Sequence, residues 1–261
     1  MSKYKLLDLY CCGGSASKGY ADAGFEVTGV DIEYHPNYPF DFVERNALDV
    51  LKDEWFIRQF DVIVASPPCQ RYSKLKYLSG DLAHWDATHP DLIPETRRLL
   101  ELTGKPYVIE NVEGAPLIDP IKLCGSQFDN MFTQRPRLFE SNVKLVEPER
   151  KRVKHQTPLL GNIGEDGWVT VAGTSPLKGL TETQTKLYYG IALGGVDWLD
   201  LDELTQAVPP CYTEFIGKQL IAYLEGREPY IPYAPKPKQK PKQQKRIERV
   251  DFLAEFRKKY R

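Results

Sequence analysis

The chain has 261 residues, 41% hydrophobic and 27% charged, with a formal net charge of −1. That composition belongs to a folded chain rather than a disordered one, and no apolar run approaches the ~20 residues that a membrane-spanning helix needs. Five cysteines without repeating spacing argue for a reducing compartment and against a disulfide scaffold, and Asp8, placed ahead of any long apolar stretch, argues against a secretory leader.

Tyr4–Tyr10 is an apolar run that ends in a Gly/Ser-rich turn and a small-residue helix through Ala23. Phe25–Val30 is a second run, ending at Asp31, and Asp61–Ala65 is a third. A helical pattern over Leu92–Thr103 precedes a fourth run at Tyr107–Ile109. Short apolar runs separated by helical patterns predict βαβ units, hence an α/β fold with a doubly wound, mostly parallel sheet over residues 1–140. In such sheets ligands sit beyond the carboxyl ends of the strands, so the four strand ends are the candidate site.

Each of those ends carries chemistry. After the first strand, Asp8-Leu9-Tyr10-Cys11-Cys12-Gly13-Gly14-Ser15 brings glycines that let backbone approach a ligand, at the start of a helix whose N–H groups suit an anion. It is neither a P-loop nor G-x-G-x-x-G. Asp31 stands where the ribose hydroxyls of a nucleoside would find an acceptor. After the third strand, Pro67-Pro68-Cys69-Gln70 gives a rigid lead into a thiol at the mouth of the sheet, the setting of a nucleophile rather than a core cysteine. The fourth run leads into Glu110-Asn111-Val112. Partial burial there is expected to raise the Glu110 carboxyl pKa and let it give a proton to a ring nitrogen. The alternative is an ordinary carboxylate paired with a nearby cation. Arg135 and Arg137, two apart, are expected to share one face of a strand as paired donors. Cys11-Cys12 and the His84/His89 pair lack ligand-pair spacing, so no metal is expected.

Beyond residue 140 the signals thin. Trp168–Gly173 reads as one strand, and Arg150-Lys151-Arg152-Val153-Lys154-His155 is a basic run. Residues 229–261 open with a proline-rich linker. There Ile247, Val250, Leu253 and Ala254, widened by Phe252, Phe256 and Tyr260, predict a short terminal helix. Residues 234–261 hold eleven Lys or Arg against three acids; taking these from the totals of 35 and 36 leaves 24 basic and 33 acidic residues in 1–233. The near-zero charge is therefore −9 on the body and +8 on the tail. Such a tail is either a solvated extension or a set of phosphate contacts.

Taken in order, Asp8-Leu9-Tyr10, Pro67-Pro68-Cys69-Gln70, Glu110-Asn111-Val112 and Arg135-Pro136-Arg137 resemble the DNA (cytosine-5-)methyltransferase family, and most of all its short phage and prophage members. The likeness extends to Gly104-Lys105-Pro106-Tyr107, Gly114-Ala115-Pro116-Leu117, Leu123-Cys124-Gly125-Ser126 and the closing segment Ala207–Gly217, and covers roughly residues 4–140 and 190–225. The resemblance implies S-adenosylmethionine as cofactor, held by Asp8, Tyr10, Cys12, Gly13, Gly14, Asp31, Ile32, Asn46 and Pro67. In that scheme Asp31 takes the ribose, Ile32 lies against the adenine and Asn46 accepts from its amine. It also implies attack by Cys69 on cytosine C6, with Glu110 at N3 and Arg137 at the carbonyl. Arg135 supports that network, and Gln70, Ser73 and Asn111 bind the substrate base. The same resemblance implies double-stranded DNA as partner and a monomer in the cytoplasm of a bacterial or phage-infected cell.

By the same likeness, residues 141–190 are a reduced target-recognition insertion suited to two to four base pairs, and 191–228 close the catalytic core. The family pattern at the first turn has glycine where Cys12 and Ser15 stand, so their side chains are expected to crowd the cofactor. It has glutamine where Thr133 stands, with Gln134 beside it. The same chemistry on RNA, and a non-catalytic binding protein of this fold, are the alternatives.

Overall fold

The computed structural model describes residues 4–73, 82–129, 131–149, 158–164 and 167–227. These fall into two compact units. The first comprises the described residues within Met1–Leu123, Pro136–Glu147 and Ala207–Tyr230, and the second those within Cys124–Arg135 and Pro148–Gln206. The basic run at 150–155 and the tail from 229, with its expected helix, lie outside the described residues.

The first unit is built on one seven-stranded sheet. Its strands are β1 (Tyr4–Leu9), β2 (Phe25–Asp31), β3 (Asp41–Glu44), β4 (Val62–Ala65), β5 (Tyr107–Asn111), β6 (Ile121–Leu123) and β7 (Arg137–Ser141), in the order β3-β2-β1-β4-β5-β7-β6. β1 to β5 pair in parallel, and β7 runs antiparallel to both β5 and β6. The doubly wound reading is met, with an antiparallel edge. β3 and β6 were not anticipated, because strands of four and three residues with half-exposed side chains leave no apolar run to read.

Alternation along the strands divides the helices between the two faces. Leu7 and Leu9 of β1, Val30 of β2, Ile63 and Ala65 of β4 and Ile109 of β5 pack with Val50 and Leu51 of α2 (Ala47–Leu51) and with Leu99 and Leu100 of α5 (Ile93–Thr103). The intervening positions face the other way: the Asp8 carboxylate accepts from Ser17 on α1 (Ser15–Ala23). α1 packs on α8 (Pro210–Leu224). Their approach is set by Gly19, where an added Cβ would overlap Pro210 O and Thr213 Oγ1. Thr213 Oγ1 donates to Ala16 O at 2.8 Å, and Ser15 Oγ to Val208 O at 2.7 Å. The late closing segment is thereby bound to the helix that follows the first turn.

The strand order reverses at β1, between β2 and β4, which opens a crevice at the carboxyl ends of those strands. The short α3 (Glu54–Ile57) follows α2, and α4 (Leu82–Thr88) lies between β4 and β5. No helix among the described residues is long and apolar enough to cross a membrane.

The second unit holds a 3₁₀ turn at Gly125–Gln127, α6 (Glu182–Ala192) and α7 (Leu201–Gln206). Its core gathers Met131, Val169, Val171, Leu177, Tyr188, Tyr189 and Leu193. The strand expected at Trp168–Gly173 is reduced to one bridge between Ile163 and Val169. Its backbone groups bond singly instead: Val169 N–H to Phe132 O, Val171 O from Arg135, and Ala172 O from the Tyr189 hydroxyl. No neighbouring strand is needed to satisfy them.

A methyl group at Gly19 cannot enter without parting α1 from α8, so Gly19→Ala is expected to cost ~1–3 kcal/mol or more as overpacking. Urea unfolding would show a lower midpoint at unchanged slope, and a wild-type midpoint would refute this account of the helix contact.

Candidate active site

Cys69 follows β4 by way of Pro67 and Pro68, and its carbonyl accepts from the N–H groups of Tyr72 and Ser73 at 3.0 Å each. The thiol is therefore carried on a tight turn at the strand end, half-exposed. Asn111, the last residue of β5, ties this turn to the next strand: its Nδ2 donates to Pro67 O at 2.8 Å and its Oδ1 accepts from Val112 N–H. Expected to touch the substrate, Asn111 is instead 1% exposed and spends its amide on the backbone. It sets where the Cys69 turn stands relative to Glu110.

Glu110 is 8% exposed and lies within β5 rather than beyond it. Its Oε1 is 3.1 Å from Nε of Arg137, the first residue of β7, which pairs antiparallel with β5. The carboxyl is thus buried and beside a guanidinium at once. Arg137 Nη1 also donates to Pro136 O at 2.9 Å. Arg135 does not share its strand face. Its φ of 34° is left-handed backbone that no strand contains, and its guanidinium donates to Val171 O and Thr205 O at 2.8 and 2.6 Å inside the second unit.

Beyond Cys69, Trp85 of α4 donates its indole N–H to Gln70 O at 3.0 Å and stacks on His89 with ring centroids 4.3 Å apart. Arg71 donates to His89 O at 3.2 Å. This fastens α4 to the segment that also carries Gln70 and Ser73, a role for Trp85 that no local motif announces.

The turn after β1 lies at the same end of the sheet. Tyr10 and Cys12 have φ of 59° and 46°, and Gly14 has 85°; left-handed backbone costs a non-glycine residue ~1–3 kcal/mol unless its surroundings impose it. Cys12 N–H donates to Asp31 Oδ2 at 2.9 Å, so the acid at the end of β2 supports this turn. Gly13 and Gly14 lead into α1, whose N-terminus carries no side-chain cap. Tyr10 reaches Thr96 on α5 through its hydroxyl at 2.9 Å. Ser15, expected to crowd the turn, directs its hydroxyl to Val208 O. Ile32, just past Asp31, is 65% exposed. Asn46 caps α2, its Oδ1 accepting from Leu48 N–H at 2.9 Å. One lone pair of its carbonyl oxygen is thus committed, and one is left for a ligand.

Asp8 lies on β1 beneath this turn, fully buried, with Oδ1 lacking a hydrogen-bond partner. Burial is the chief cause that pushes its pKa up from 3.8 to about 7; the Ser17 hydrogen bond opposes this, while Asp31 and Glu110 add to it.

Residues 4–120 match the family described as C-5 cytosine-specific DNA methylase. A type II methyltransferase of Haemophilus parahaemolyticus, M1.HphI, is 32% identical over 132 residues, 43% of this chain and 35% of its own length. M.AgeI of Thalassovita gelatinovora is 28% identical over 42% of this chain and 28% of its own. The matched region thus spans about a third of these curated relatives. Among solved structures, a prophage-encoded E. coli protein assigned as a DNA modification methyltransferase has a TM-score of 0.57 at 15% identity, over 85% of this chain and 100% of that one. Identity this low makes the likeness one of fold.

Because folded Asp8 holds its proton up to about pH 7 and the unfolded side chain releases it near 3.8, the folded chain binds the extra proton between those values. The stability Asp8 contributes is present at the acid end and lost as pH rises through this window. Asp8→Asn is expected to gain stability relative to wild type between about pH 4.5 and about pH 7.5 in urea unfolding; parallel pH profiles would refute the burial argument.

Proposed function

We propose that this chain, whose residues 4–120 match the family described as C-5 cytosine-specific DNA methylase, methylates C5 of a cytosine flipped out of double-stranded DNA, with S-adenosylmethionine as methyl donor. The observation that carries the reading is the joining of adjacent strand ends. Cys69 and the Glu110–Arg137 pair are held on β4, β5 and β7, with Asn111 bonding one end to the other at 2.8 Å.

In this mechanism Cys69 Sγ adds to C6 of the ring, forming a C–S bond and shifting the C5=C6 electron pair to C5, which becomes nucleophilic. Glu110 binds or protonates N3 and so withdraws electrons from the ring as the thiolate attacks. Arg137, already turned toward Glu110, holds that carboxyl and contacts the cytosine carbonyl. After methylation, loss of the C5 proton and expulsion of the Cys69 thiolate restore the ring. C5 and C6 are closed to a thiol in stacked duplex, hence the flipped base; Gln70 and Ser73, on the Cys69 segment, are its remaining contacts.

The first turn suits the donor by its own chemistry. The Asp31 carboxylate answers ribose hydroxyls, exposed Ile32 offers a surface to adenine, and the free lone pair of Asn46 answers its amine. The uncapped start of α1 answers a carboxylate. Asp8, Tyr10, Cys12, Gly13, Gly14 and Pro67 complete this pocket. Bound there, the cofactor supplies an electrophilic methyl group.

Residues 141–190 serve as a reduced recognition region for two to four base pairs. The basic run at 150–155 and the tail contact phosphate, and the enzyme acts as a cytoplasmic monomer without a metal ion.

Tritiated methyl transfer is expected to label duplex DNA in preference to single strands and tRNA, and Cys69→Ala to abolish labelling while S-adenosylhomocysteine still binds. Label in tRNA alone would move the reading to RNA, and label surviving in Cys69→Ala would end the adduct mechanism. Deleting residues 234–261 is expected to weaken DNA binding and flatten its dependence on salt, since each phosphate contact adds roughly 0.9 to the logarithmic slope; an unchanged slope would remove the tail from the interface.

A further inference from the structure

Tyr38 lies between β2 and β3 in a stretch with no motif. Its hydroxyl is 2.7 Å from Ser17 Oγ, and Ser17 Oγ donates to Asp8 Oδ2 at 2.5 Å. A hydroxyl has one proton, so with Ser17 donating to the carboxylate Tyr38 must donate to Ser17. The Cys11 thiol stands beside the same phenol, both reaching the space over Gly29. The ring fills space that side chains elsewhere would claim. A Cβ at Gly14 would stand 2.8 Å from it, and one at Gly29 would overlap its hydroxyl. Phe40 and Phe42 pack on the ring with centroids 5.9 and 5.3 Å away. A single side chain thus joins β2, the first turn and α1, and through Ser17 it reaches Asp8 on β1.

The turn it touches is the strained one. Tyr10 and Cys12 are left-handed without being glycine, and such backbone persists only where the surroundings over-determine it. Asp31 restrains it at Cys12 N–H. At Gly14 the turn meets the Tyr38 ring, Cys11 shares the space over Gly29 with the Tyr38 hydroxyl, and that hydroxyl bonds Ser17 in the helix that follows. We propose that Tyr38 is a positioning residue of the cofactor pocket, clamping the Tyr10–Gly14 turn from outside into the path that a glycine at position 12 would adopt unaided. The inference rests on the reading of that turn as the S-adenosylmethionine site. Tyr38 touches no reacting atom.

The test is calorimetric binding of S-adenosylhomocysteine to the full chain. Tyr38→Phe keeps the ring and removes only the hydroxyl. Its Kd is expected to rise about tenfold, the worth of one hydrogen bond in a chain that ends on a carboxylate, with Tm within about 2 °C of wild type. In methyl transfer the KM for S-adenosylmethionine rises with it while kcat at saturation stays within about twofold, a split that loss of folded protein would not produce. Ser17→Ala, which also strips Asp8 of its hydrogen bond, should weaken binding at least as much, and adding Tyr38→Phe to it should cost nothing further, because the phenol acts through Ser17. Cys12→Gly placed in the Tyr38→Phe background should recover affinity, since glycine needs no clamp.

A Tyr38→Phe Kd within about twofold of wild type, or no recovery by Cys12→Gly, overturns the clamp and leaves the methyltransferase reading standing. A fall in Tm large enough to explain the lost affinity makes Tyr38 a support of the fold and also overturns it. If the wild-type chain fails to bind S-adenosylhomocysteine, both readings fall.

Discussion

Parallel pairing of β1 with β2 on one side and β4 on the other is the constraint on which the first unit depends. A parallel strand must be re-entered from its amino end, so every connection crosses a face of the sheet and every carboxyl end opens the same way. The winding reverses at β1, and in an open parallel sheet that is where a crevice forms. Asp8, the first turn, Asp31 and the Cys69 turn all belong to that one end because the pairing leaves no other place for them.

The polar groups gathered there are costly to bury, and the fold meets the cost in two ways. Glu110 is met by the Arg137 guanidinium across the antiparallel β5–β7 pair. Asp8 receives one hydrogen bond from Ser17 and keeps an unpartnered oxygen, and burial holds its pKa near neutrality. Leaving a carboxyl oxygen unpaired in a sheet of Leu, Ile and Val is destabilising. The site carries this group next to two left-handed non-glycine residues, Tyr10 and Cys12, the kind of strain that persists only where the surroundings impose it.

Asn111 and Tyr38 perform the same kind of work at the two halves of this end. Each is remote in sequence from what it holds: Asn111 reaches Pro67 across 44 positions, and Tyr38 reaches Ser17 across 21. Asn111 ties the thiol's turn to the strand that carries the acid, and Tyr38 packs on the turn after β1. Both act by hydrogen bonds inside the unit, where an unmade bond costs more than in water.

The chain by itself determined the βαβ alternation, because strands buried on both faces must be continuously apolar and so can be read directly. It also marked Cys69, Glu110 and the first turn, since proline, acid and glycine at strand ends are local departures from that apolar pattern. It was silent on β3 and β6, too short and too exposed to leave a pattern. It misplaced Arg135, whose left-handed backbone has no signature in an Arg-Pro-Arg sequence, and it expected a strand at 168–173 where side chains bond the backbone one group at a time. The Glu110–Arg137 pair, the structural role of Asn111 and the place of Tyr38 over Gly14 and Gly29 were decided only by tertiary structure. Each depends on which strands become neighbours, and neighbourhood in a sheet is set by crossovers and packing that no stretch of sequence encodes locally.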